Sequence, residues 1–165
     1  MKVVSKQTNS RMCFICGMDN PTGLRAQFYN MEDGSVVTPF QFREEHQSFP
    51  GRVHGGLVAT MIDELGLRAL WVKSESRMGV TMSLETKYRK PVPYGEPLYG
   101  RGVVVRESSK FAAIHAQILN AQGEVLAEGT TKYILLDAEQ IAQGVDEHAQ
   151  MCYLLEDEVR ELPVG

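Results

Sequence analysis

Two groups in the stretch PGRVHGGLVATMIDELG, residues 50–66, could do chemistry. His54-Gly55-Gly56 opens an apolar run with helical spacing, and Asp63 follows the histidine by nine residues. Two glycines ahead of a helix are unfavourable for backbone entropy. They do let a ligand reach the first N–H groups, which lack intrahelical acceptors and sit at the positive end of the helix dipole. Such donors can hold a carbonyl oxygen as it becomes an oxyanion. Asp63 has Ala59, Thr60, Gly66 and Leu67 as its i±3 and i±4 neighbours, none of them cationic. Burying an unpaired carboxylate is costly, so Asp63 either finds donors elsewhere in the fold or lies exposed at an interface. Glu64 differs, because Arg68 four residues later gives it a favourable i,i+4 ion pair. His54 either assists the chemistry or orders the turn.

These residues need a frame. Leu57 to Val72 runs sixteen residues without proline, roughly 24 Å of helix. Val58, Met61, Ile62, Leu65, Leu70 and Trp71 are mostly spaced by three and four, which predicts a helix buried on most sides. The period then changes to two. In GVTMSLETKYRK, Val80, Met82, Leu84 and Tyr88 alternate with polar residues and predict a half-buried strand. LYGRGVVVRE, FAAIHAQILN and EVLAEGTTKYILLD follow, joined by short turns, as an antiparallel meander. Ahead of the helix, LRAQFYN and SVVTPFQF flank Asp33-Gly34 and read as a hairpin. Residues 1–12 are expected to be loosely ordered. A single helix this apolar is satisfied only if a sheet curls around it, so the fold class is α+β. The expected organisation is one domain over residues 1–136 and an acidic tail, residues 137–165, read as helical with Gly144 weakening its first half.

The 165 residues suffice for one sizeable core. A net charge of −4 argues against a general nucleic-acid binder. No apolar run reaches a membrane-spanning length, and no secretory leader is evident in MKVVSKQTNSRM, so the expected compartment is the cytoplasm. Cys13 and Cys16 form a CxxC, but the third cysteine, Cys152, is distant. Half a zinc site does not establish a metal centre, and with no strand ahead of it the pair lacks the context of a thioredoxin-like motif. A structural or incidental role for the pair is expected.

HGGLVATMID resembles the active-site segment of hot-dog-fold acyl-CoA thioesterases of the phenylacetyl-CoA and thioesterase-superfamily-member type. The CFICGMDNPTGL opening, the order of strands around one helix, and GVTMSLETKYRKPVPYGEPL extend the resemblance over residues 13–136. It implies an antiparallel sheet of five to six strands wrapped around the central helix. It also implies a homodimer, often a dimer of dimers, with active sites at the subunit interface. The implied substrate is an acyl-CoA, with coenzyme A part of the substrate and no metal or redox cofactor. Gly55 would then give a backbone donor to the thioester oxygen, with Gly56 and His54 in support. Asp63 would act as general base or nucleophile, and Thr81 would orient it. Gln47 lies in the loop where some relatives place an amide. Arg89, Lys90, Arg106 and Lys110 are the candidate coenzyme A phosphate ligands. The rival expectation is a non-catalytic acyl-CoA sensor of the same fold.

Overall fold

The computed structural model describes residues 1–136 and 153–164. Strands β1 (Val3–Lys6), β2 (Tyr29–Met31) and β3 (Val36–Phe40) come first, followed by a small hairpin of β4 (Gln47–Phe49) and β5 (Arg52–Val53). Helix α1 (Gly55–Trp71) comes next, then β6 (Met78–Tyr88), β7 (Leu98–Glu107), β8 (Phe111–Asn120) and β9 (Val125–Leu136). One antiparallel sheet of seven strands runs β1-β2-β3-β7-β8-β9-β6, and α1 lies across it. The expected sheet around one buried helix is therefore present.

The sheet is larger than the expected five to six strands, because residues 1–12 are not loosely ordered. Val3 pairs with Met31, and the Val3 N–H also donates to Arg160 O at 2.8 Å in the tail. The described part of the tail, residues 153–164, carries no helix. It runs extended beside the first strand, with Tyr153 bridging Asn9 and Glu161 bridging Lys2. The Lys6–Asp157 ion pair fixes it there. A short extended segment without heptad or i,i+4 pattern satisfies its backbone by strand-like bonds to β1, which charge composition does not reveal. The rest of the expected tail helix lies outside the described residues. LRAQFYN yields only the end of a strand, because Arg25 takes a left-handed backbone (φ 54) that interrupts the extended run.

The approach of helix to sheet depends on glycine. A Cβ on Gly102 of β7 would lie 2.6 Å from Leu65 O, and one on Gly100 2.8 Å from Leu65 Cδ1. On β9, a Cβ at Gly129 would meet Ile62 Cγ2 at 2.9 Å. These bare positions allow Met61, Ile62 and Leu65 to become fully buried. At roughly 2–3 kcal/mol for each large apolar side chain, that burial dominates the helix's attachment.

One expected pattern is corrected. Val80, Met82 and Tyr88 do not form a buried face of β6; they are 48%, 52% and 54% exposed. β6 is the edge of the sheet, and its pairing with β9 shifts register between Thr81 and Ser83. A bulge bends the strand and re-aims its side chains, and an edge leaves one side of the strand without a neighbour.

Candidate active site

His54 is the N-cap of α1, and its Nδ1 accepts the Gly56 N–H at 3.0 Å. This is capping chemistry, ordinarily performed by Ser or Asp, so the histidine orders the turn. Among the described residues the Gly55 N–H takes no partner, while the Gly55 carbonyl accepts from Tyr88 Oη at 2.8 Å. A Cβ on Gly55 would find its nearest neighbours at 3.5 Å, an ordinary contact. The packing of this chain therefore does not require glycine there. The free N–H borders a cleft of about 290 Å³ lined by Arg52, Val58, Tyr88, Arg89 and Lys90 among others.

Asp63 lies eight residues further along α1 and is half-buried under β6 and β9. Its missing partners come from the sheet. Thr81 Oγ1 donates to Asp63 Oδ1 at 2.8 Å, and Tyr133 Oη lies 2.5 Å from Asp63 O and 3.2 Å from Oδ1. Burial first, then the charge and hydrogen bond of Asp63, push the Tyr133 phenol up, so it stays a protonated donor through neutral pH. Among the described residues Oδ2 accepts no hydrogen bond. One carboxylate oxygen is anchored and the other is available, the arrangement a base or nucleophile requires.

Tyr133 escaped the sequence reading. Its alternation in TTKYILLD marks an inward side chain, but only the register Thr81↔Tyr133 puts it over Asp63. Glu64 takes the predicted pair, with Arg68 Nε donating to Oε1 at 2.9 Å. The surprise is Arg68, which is 1% exposed. Its charge is answered by Glu64, the Thr8 carbonyl at 2.7 Å, and the faces of Phe28 and Trp71.

The four candidate phosphate ligands do not come together. Arg89 and Lys90 sit at the Gly55 end, bound to Glu128 and Glu124 respectively. Arg106 lines a separate, mostly apolar pocket of about 350 Å³ with Met82, Phe111, Lys132 and Tyr133. Lys110 is exposed on the adjoining turn. Both Arg89 and Lys90 N–H groups donate to Leu126 O, whereas Arg106 lies against Ala113, the partner of Lys132. Six residues of β9 separate these points, about 20 Å of strand. Gln47 is exposed on β4, and its Oε1 is 3.5 Å from Tyr94 Oη. Among the described residues, Cys13, Cys16 and Glu64 form a further group of donors, and both cysteines are free.

Comparison with known proteins bears on the fold and the family. Residues 50–127 match the model of the Thioesterase superfamily, a span that begins at the loop before His54 and includes α1 and β6 to β8. Human acyl-coenzyme A thioesterase 13 is 29% identical over 103 residues, covering 61% of this chain and 74% of that protein. Mouse acyl-coenzyme A thioesterase THEM4 is 31% identical over 117 residues, 70% of this chain but 49% of that protein. A crystal structure of another thioesterase superfamily protein superposes with a TM-score of 0.70 at 26% identity, over 75% of this chain and 63% of that one. Residues 50–127 thus belong to the thioesterase superfamily, and the helix and sheet that carry Asp63 are its hot-dog fold.

Proposed function

We propose that this protein is an acyl-CoA thioesterase, converting an acyl-CoA and water to a carboxylate and free coenzyme A. The observation that carries the proposal is the Asp63 carboxylate, tied through Oδ1 to Thr81 and Tyr133, with Oδ2 open among the described residues. As general base, Oδ2 takes a proton from water while the water oxygen bonds to the thioester carbon; the adduct then collapses with cleavage of the C–S bond, and the proton passes to the departing coenzyme A thiolate. As nucleophile, it bonds to the thioester carbon as the C–S bond breaks and coenzyme A leaves as its thiolate, giving an anhydride that water cleaves to the free acid and the restored Asp63 carboxylate. In both routes the carbonyl oxygen gains negative charge, and the free Gly55 N–H at the positive end of α1 suits that charge.

One protomer does not bring these two groups to the same thioester. Eight residues of helix place Asp63 about 12 Å from Gly55 along the axis, whereas attacking and accepting atoms must lie within about 3–3.5 Å of the reacting group. The reading is therefore a homodimer, in which Gly55 of one copy faces Asp63 of the other. The exposed edge of β6, with Val80 and Met82 uncovered, supports pairing of two copies along that strand. Arg89, Lys90, Arg106 and Lys110 are proposed to share the coenzyme A phosphates in that assembly, Arg106 and Lys110 in one approach and Arg89 and Lys90 in another.

The test is thiol release from a panel of acyl-CoAs, with wild type and Asp63→Asn side by side and the oligomer monitored by sedimentation. Loss of about 10²–10⁴-fold in kcat with the dimer intact is expected for removal of the base. An unchanged rate removes Asp63 from the mechanism. Binding of acyl-CoA without turnover by wild type would replace the enzyme with a sensor.

A further inference from the structure

We infer that Cys13, Cys16 and Glu64 form a binding site for a thiophilic divalent cation, Zn²⁺, separate from the Asp63 chemistry. Cys13 Sγ, Cys16 Sγ and a Glu64 carboxylate oxygen all lie within 4.8 Å of one another. Cys13 Sγ is 3.6 Å from Glu64 Oε2. Zinc–sulfur and zinc–oxygen bonds of about 2.3 and 2.1 Å at a tetrahedral angle place sulfur and oxygen about 3.6 Å apart. The existing separation thus already accommodates the ion.

The surroundings are those of a built site. The turn that presents both sulfurs is closed by Gly17 N–H donating to Cys13 O at 2.8 Å, and a Cβ on Gly17 would lie 2.3 Å from that oxygen. Ile15 N–H points at Cys13 Sγ at 3.4 Å, and Ser10 Oγ lies 3.2 Å from Cys16 Sγ. Glu64 is held by its other oxygen, Oε1, in the pair with Arg68, which orients Oε2 toward Cys13. Metal ligands are commonly positioned by such outer contacts. Two thiolates and a carboxylate carry −3; the adjacent Arg68 and a dication return the cluster to neutrality. Binding converts two thiols to thiolates and releases two protons to solvent. Sulfur donors favour Zn²⁺ over Mg²⁺ or Ca²⁺. With three protein ligands, a water or Ser10 completes four-coordination. The ion would join the CxxC turn to the helix that carries Asp63.

The test uses the full-length reduced chain under anaerobic conditions. Zn²⁺ is titrated against a chromophoric chelator, and Co²⁺ is added separately to read thiolate-to-cobalt charge transfer. Wild type and Cys152→Ser are expected to bind one ion per chain with charge transfer from two thiolates. Cys13→Ser, checked for native circular dichroism, is expected to lose more than about 100-fold in affinity, beyond the usual effect of an outer contact. The wild-type cobalt spectrum keeps the proposal testable if the variant misfolds. Absence of thiolate charge transfer in wild type, or its persistence in folded Cys13→Ser, overturns the site. Recovery of a Cys13–Cys16 disulfide from chain that takes up no metal after reduction also overturns it, in favour of a redox pair.

Discussion

Replacing Gly66 with alanine tests how the helix and sheet jointly position Asp63. Gly66 is buried on α1, and an added Cβ would stand 2.4 Å from Tyr133 Oη, 2.9 Å from Cε2 and 3.0 Å from Cζ. Tyr133 has little room to retreat, because it is itself buried in the core, 2% exposed. Overpacking of this kind costs about 1–3 kcal/mol. Alanine returns up to about 1 kcal/mol of helix propensity, and the displaced Tyr133 hydrogen bond removes about as much. The net destabilisation is about 1–3 kcal/mol, or roughly 2–12 °C in Tm for a chain of this size. Tyr133→Phe alone should cost about 1 kcal/mol. Combined, it removes the atom of worst contact, so the double variant should be more stable than the sum of the singles by at least about 1 kcal/mol. Urea unfolding of the four proteins measures this coupling. Additivity within about 0.5 kcal/mol would refute the clash and the placement of Tyr133 against the helix. Both single variants should also lower kcat, since each frees Asp63 from one of its two sheet donors.

Gly55→Ala should leave the melting temperature within about 2 °C, because its Cβ fits in the protomer, yet depress thioester hydrolysis at least tenfold; equal activity would show that no ligand needs that space. Arg106→Ala and Lys110→Ala should raise KM for acyl-CoA but not for the matching acyl-pantetheine, and equal effects on both esters would exclude a nucleotide contact. Arg68→Met should destabilise by about 3–5 kcal/mol in urea titrations, because Glu64 loses its counter-charge; a change below about 1 kcal/mol would contradict the buried pair. Hydrogen bonding to Lys73, together with the charges of Lys73 and Arg77, holds the Glu107 carboxyl below its usual range despite partial burial. Its stabilisation is thus present above the unfolded pKa of about 4.3 and is lost as pH falls through the lower folded value. Glu107→Gln should accordingly destabilise at pH 7, and the difference from wild type should shrink as pH falls below the unfolded value of about 4.3, measured by unfolding across that range.

Much of the frame was legible because it depends on local periodicity. The expected run from Leu57 to Val72 gives the helix within two residues of its bounds, and the four long strands that follow are read from alternation and turns. Asp63 stood out because no cation lies a turn away on its own helix. What stayed hidden depends on contacts far apart in sequence. Tyr133 reaches Asp63 across 70 positions, and Glu64 reaches Cys13 across 51. The exposure of Val80 and Met82 follows from their strand lying at the sheet edge, and alternation carries no information about position in a sheet. β1 was missed because four residues paired partly with an extended tail have no periodic signature of their own.

The eight-residue interval between Gly55 and Asp63 has a genetic consequence. If each catalytic centre draws its oxyanion donor from one copy and its carboxylate from the other, a chain defective at Asp63 and a chain defective at Gly55 are complementary. Each is inactive as a pure population. Dissociated, mixed and reassembled, half of the dimers are hybrids, and each hybrid contains one centre with both groups intact and one with neither. About a quarter of all centres recover, as expected for a two-fold interface with random partner exchange. Two inactive alleles expressed in one cell would then restore activity that neither supplies alone.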